Sequence, residues 1–142
     1  MTFPLDLLSP TLAICRIDWT APIPDWATGS FVSITRTNSE LSIVCEQQNV
    51  PHNVLVERDW RCFQVAGQLD FSMVGIIAQL TSTLATAGIS VFVISSYETD
   101  FLLVRSANLN TAMQVLTDAG HVVNSCNSKA NDKCEKSRRN SG

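Results

Sequence analysis

Residues 94–104 read ISSYETDFLLV. Apolar residues flank a polar centre that holds two serines, a tyrosine, a glutamate, a threonine and an aspartate. A two-residue hairpin asks for Asn-Gly, Asp-Gly or Gly-Gly at its tip. This connection carries hydroxyls and carboxyls instead, so two readings stand side by side. Ser95, Ser96 and Asp100 can close the turn by bonding its own backbone, as serine-rich turns do. Alternatively they line a place for a ligand.

The neighbours of this hairpin set the fold. Upstream, WRCFQVAG (60–67) alternates apolar and polar side chains as a half-buried strand does. Met73, Val74, Ile76, Ile77, Leu80, Leu84 and Ala87 then recur at helical spacing. Asp70 or Ser72 is available as N-cap, and Gly88 stands where a left-handed residue ends a helix. Downstream, Leu109, Ala112, Met113, Leu116 and Ala119 share one helical face, with Gly120 closing it and HVV (121–123) as a last strand. The order is βαββαβ, an α+β ferredoxin-like unit.

An offset of 60 aligns FVSITRTNSELSIVCE (31–46) with VFVISSYETDFLLVRS (91–106) and places Ile34 on Ile94, Glu40 on Asp100 and Val44 on Val104. The hairpin is read as an internal repeat. The first copy is degenerate. TLAICRI (11–17) and NVLVERDW (53–60) supply strands, but the prolines and glycine of DWTAPIPDWATGS (18–30) forbid a full helix, and NVPHN (49–53) is too short for one. The expected organisation is a degenerate, strand-rich unit over 1–58, a complete βαββαβ unit over 59–124, and a polar, disordered tail over 125–142.

Composition bounds the function. The 142 residues carry a formal net charge of −3 and are 45% hydrophobic, which argues against nucleic acid as a partner. No apolar run reaches the roughly 18 residues of a membrane span, and MTFPLDLLSP has no basic start for a secretory signal. Among the five cysteines, Cys15, Cys45 and Cys62 fall in strand-like runs and read as buried free thiols of a reducing, cytoplasmic setting. Cys126 and Cys134 lack metal-ligand spacing. No catalytic or metal motif occurs, so the chain reads as a non-enzyme without metal or cofactor.

Ligand binding is the better-supported chemistry. A helix start presents free N–H groups and partial positive charge to a carboxylate, and Asp70, Ser72 and Gly75 lie at such a start. Asp100 or Glu98 offers an anion to an ammonium, and the hydroxyls of Ser95, Ser96 and Tyr97 can orient the ligand. Against this, each of these polar groups can serve only its own cap or turn.

The segments LAICRID (12–18), FVSITRTNSELSIVC (31–45), VERDWRCFQVAGQLDFSMVGIIAQL (56–80) and AGISVFVISSYETDFLLVR (87–105) together resemble small tandem ACT-domain proteins. They are similar to the ACT domains of the CASTOR arginine sensors and of aspartate kinase regulatory regions. The resemblance covers about residues 5–123. It implies a regulatory module that binds a free amino acid between two ACT units, pairs as a homodimer or with another ACT chain, and modulates an enzyme of amino-acid-derived metabolism. It places Ser95, Ser96, Tyr97 and Asp100 on one wall of the pocket and Leu69, Asp70, Phe71, Ser72, Gly75 and Ile76 on the other. Two rivals stay open: a ligand-free ACT scaffold, and an accessory enzyme of an aspartate- or homoserine-linked pathway.

Overall fold

The structure is a computed structural model that describes residues 3–66 and 75–125. Strands β1 (Pro4–Leu7), β2 (Leu12–Ile17), β3 (Ser33–Arg36), β4 (Leu41–Glu46) and β5 (Leu55–Val65) come first. Helix α1 (Ile76–Thr86), strands β6 (Phe92–Ser95) and β7 (Asp100–Arg105), helix α2 (Leu109–Asp118) and strand β8 (Val122–Ser125) follow. All eight strands join one sheet in which β5 is the hub.

The complete second unit has the expected order, β5-α1-β6-β7-α2-β8, with β7 antiparallel between β5 and β6. Leu80, Leu84, Ala112 and Leu116 bring the two helices onto Phe63, Val65, Leu102 and Val104. Gly88 (φ 75°) and Gly120 (φ 98°) end the helices in the left-handed region, which costs glycine least. The described part of α1 opens at Ile76 with Gly75 before it. Asp70 and Ser72, the expected caps, lie outside the described residues, as do Leu69 and Phe71.

One strand was not foreseen. PLDL (4–7) inserts between β5 and β8, antiparallel to the first and parallel to the second. Its core side chains are Leu5 and Leu7, which pack with Phe63 and Leu116. The chain's first strand therefore completes the sheet of its second unit.

β3, β4, β2 and the first half of β5 form the other unit, in the order a ferredoxin-like sheet requires. Loops stand where its helices would be. Trp26 and Ala27 from the 18–32 segment, with Val50 and Val54, cover Ala13, Cys15, Leu41, Ile43 and Cys45. The two strands expected over 53–67 are one, and the expected boundary at residue 58 falls inside it.

Asp59 makes that sharing possible. Its φ of 66° is left-handed, and the pairing of β2 with β5 shifts there, between Leu12 and Ile14. The extra residue is a β-bulge, which reverses the in-out alternation. Before it, Val54 and Val56 join the first unit's loop-covered core. After it, Trp60 and Cys62 join a third cluster with Leu12, Val44, Leu103, Phe31 and Phe101. That cluster occupies the opposite face, where the two hairpins approach one another. Phe31 meets Phe101 edge to face at 5.0 Å. Gln47 holds the bulge, accepting the Asp59 N–H at 2.5 Å and donating to its carboxylate at 3.0 Å.

The repeat is real, but its offset is 59, not 60. Ser33 pairs with Val44, and Phe92 with Leu103, each 59 positions on. A one-residue slip exchanges the faces of a strand, so the offset of 60 set core-facing positions against opposite ones. In the correct register Leu41 corresponds to Asp100, Arg36 to Ser95 and Thr37 to Ser96.

Cys15, Cys45 and Cys62 are buried and free. Burial pushes the Cys15 thiol up to about 11 and the Cys62 thiol up to about 12. They are apolar packing groups with little thiolate at neutral pH.

Two outcomes test this architecture. Leu5, 1% exposed, is in the hydrophobic core although it lies far from the second unit in sequence. Leu5→Ala should cost about 3 kcal/mol in a urea titration, comparable to Leu80→Ala in α1. A cost near zero would detach β1 from the core. His121 is 2% exposed, accepts the Phe3 N–H on Nδ1 at 2.9 Å and stacks on the Phe3 ring. Burial lowers its pKa below the ordinary 6.5, so the unfolded chain takes up the proton first. Its effect is a loss of stability as pH falls below about 6.5, levelling off below the depressed folded value. Unfolding midpoints measured from pH 7.5 downwards should fall more steeply in the native chain than in His121→Asn, whose amide oxygen can still accept from Phe3.

Candidate functional site

The β6–β7 connection is a four-residue loop, because Ser95 pairs with Asp100. Ser96 donates its N–H to the Thr99 carbonyl at 2.8 Å, and its Oγ accepts the Thr99 N–H at 3.3 Å. Thr37 and Glu40 repeat this in the first unit, with a backbone bond of 2.9 Å and an Oγ1 that accepts the Glu40 N–H at 3.2 Å. Ser96 spends its hydroxyl on the turn, as Thr37 does in the other copy.

Thr99 does something the first copy does not. Buried at 7% exposure, it donates Oγ1 to the Val65 carbonyl at 2.6 Å. That bond ties the hairpin tip to the residue where β5 ends. The tip and the exit towards α1 thus share one rim of the sheet. The β-branched side chain of Thr99, one residue before a buried strand, is the sequence signal for this inward direction.

Asp100 is partly buried on the helix-covered face, in line with Leu102 and Val104. Its structural counterpart Leu41 is fully buried. A carboxylate thus replaces an apolar residue at a core-facing position, and it accepts the Ser95 hydroxyl at 2.5 Å. Carboxylates tolerate such a place when paired. One oxygen is paired by Ser95.

The remaining predicted residues divide. Gly75 (φ 86°) is exposed, and a Cβ there would meet nothing within 4 Å. It is required by its backbone angle and leaves open space at the helix start. Among the described residues no side chain caps α1, and a helix start presents N–H groups that suit an anion. The Ile76 side chain is in the core beside Leu80, so only its N–H is available to a ligand. Tyr97 is 87% exposed at the tip. In the first unit Arg36 donates to the Trp19 carbonyl, and Glu40 sits 3.7 Å from Arg16; internal partners hold both.

Among the described residues, no three His, Cys, Asp or Glu side chains gather to hold a metal ion. No helix among them is long and apolar enough to cross a membrane. The hairpin tip offers the Asp100 carboxylate and the Ser95 hydroxyl, groups that suit the ammonium of a small molecule.

A family model described as ACT domain matches residues 55–118, and a second, described as an N-terminal domain, matches residues 11–53. The first begins where β5 begins and stops where α2 stops, leaving β1 and β8 outside it. The crystal structure of protein Atu0741 from Agobacterium tumefaciens is 40% identical to this chain, with a TM-score of 0.85 over 89% of this chain and 96% of that one. The human cytosolic arginine sensor for mTORC1 subunit 1 is 30% identical over 101 residues, 66% of this chain. This chain spans about a third of that relative's length, 31%. The regulatory subunit of aspartate kinase from Thermus thermophilus shares the fold at 10% identity, with a TM-score of 0.58 over 84% of this chain and 98% of that one. Strand order, paired helices and the matched model agree: residues 55–118 of the chain form an ACT domain.

Proposed function

We propose that this chain is a regulatory ACT protein that senses a free amino acid and modulates a partner enzyme or pathway of amino-acid-derived metabolism. The observation that carries the reading is the exchange of buried Leu41 for Asp100 at equivalent places in the repeat. The first unit shows that the hairpin folds with an apolar residue there. A carboxylate at that place is a cost to stability that a ligand's ammonium would offset.

In this reading Asp100 takes the ammonium, Ser95 orients the carboxylate oxygen that faces it, and Thr99 keeps the tip against β5. The N–H groups at the start of α1, beside Gly75, receive the ligand's carboxylate, with Asp70 and Ser72 as neighbours in sequence. Tyr97 points outward, so the facing wall comes from a second copy of the chain or another ACT unit. The arginine sensor and the aspartate kinase regulatory subunit bear names of regulatory proteins, which supports the class but not the ligand. The site does not call for a cofactor, and its placement in the cytoplasm follows the same resemblance.

Thermal unfolding across the twenty amino acids tests the reading. A ligand near 100 Kd should stabilise by about 2.7 kcal/mol, or several degrees. Asp100→Ala should abolish that shift. Asp100→Leu, which restores the residue of the first copy, should abolish it while raising the unliganded stability by about 1 kcal/mol. If no amino acid raises Tm, or if both variants respond like the native chain, the amino-acid site is not at this rim.

A further inference from the structure

The described residues include five arginines. Arg16 pairs with Glu40 and Arg105 with Glu57, at 3.7 and 3.0 Å. Arg36 and Arg61 donate to the carbonyls of Trp19 and Leu8. Arg58 has no hydrogen bond or ion pair among the described residues, although it is partly buried. It lines a depression of about 590 Å³ beside Ser9, Thr11, Glu46, Gln48 and His52.

A guanidinium with its donors unspent, set among hydroxyls and an amide, is a receptor for a planar anion. Glu46 gives the depression an opposite charge. Ser30 donates to its Oε1 at 3.3 Å, and a Cβ at Gly29 would come within 2.4 Å of its Oε2. The carboxylate is therefore held in place by a close backbone approach. One cation and one anion across a small polar hollow discriminate against a doubly charged anion and favour a molecule that carries both signs.

We propose that this depression is a second small-molecule site, independent of the hairpin rim, that takes a small carboxylic acid. Its carboxylate lies on Arg58, and an amino group elsewhere in the ligand faces Glu46. The site adjoins the bulge, because Arg58 precedes Asp59 and Gln47 both lines the depression and clamps Asp59. Occupancy here bears directly on the strand both units share.

Amide NMR of the full chain, titrated at constant ionic strength with L-alanine, propionate and sulfate, tests this. Alanine and propionate should produce saturable shifts at Thr11, Gln48, Arg58 and Asp59, with propionate the weaker because it lacks the ammonium. Arg58→Gln should weaken alanine at least about tenfold, whereas Arg58→Lys keeps part of the affinity and shows that the fold survives a change at this position. Asp100→Ala should leave these shifts unchanged, which separates the site from the rim. The proposal is overturned if neither carboxylate gives a saturable shift there, if sulfate matches them, if Arg58→Gln responds like the native chain, or if Asp100→Ala abolishes the response.

Discussion

The structure depends on one strand that serves two units. Leu55–Val65 pairs with β2 through its first half, and with β1 and β7 through its second. Because the side-chain period of a strand is two residues, an uninterrupted β5 would send Val56 and Trp60 to the same face. The left-handed Asp59 inserts one residue and separates them. Each half can then face its own core, and the third cluster fills the space between the hairpins. The bulge is fixed by a glutamine amide rather than by glycine, at a position where a non-glycine residue pays for its φ. Strained positions of this kind gather where structure and function meet, and this one borders the Arg58 depression.

The two units are the same design with different completion. The second has two helices over its sheet; the first has Trp26, Ala27, Val50 and Val54 doing the same burial from loops. Their hairpins share loop length, register and the hydroxyl that closes the turn. What differs is therefore informative. Ser95, Thr99 and Asp100 replace Arg36, Glu40 and Leu41, placing a buried hydroxyl, a half-buried carboxylate and an exposed serine at one rim. Divergence against an internal reference separates the polar residues that close a turn from those that do not.

The second unit was legible because its signals are local: helical spacing from Ile76 to Ala87, glycine at each helix end, and two apolar runs around a short turn. Long-range pairing was not. Nothing in PLDL says that it inserts between β5 and β8, because its partners lie some 60 and 118 residues away. The repeat was visible, yet its register was off by one, since Ile34 and Ile94 match in identity while facing opposite ways. That error concealed the most useful comparison, Leu41 with Asp100. The turn is visibly polar in the sequence, but its division into Ser96 for the turn, Thr99 for β5 and Asp100 with Ser95 follows only from the pairing. Arg58 carried no motif at all; what marks it is the lack of a hydrogen bond or ion pair among the described residues, which is a property of three-dimensional structure.

The central claim is that an amino acid is held at the rim formed by the hairpin tip and the start of α1. Amide hydrogen exchange with and without the amino acid that stabilises the chain reads that rim directly. The account predicts slowed exchange over residues 95–100 and the first turn of α1, with β3 and its turn at 37–40 unaffected. Protection spread evenly over the sheet, or confined to the first unit, would contradict it.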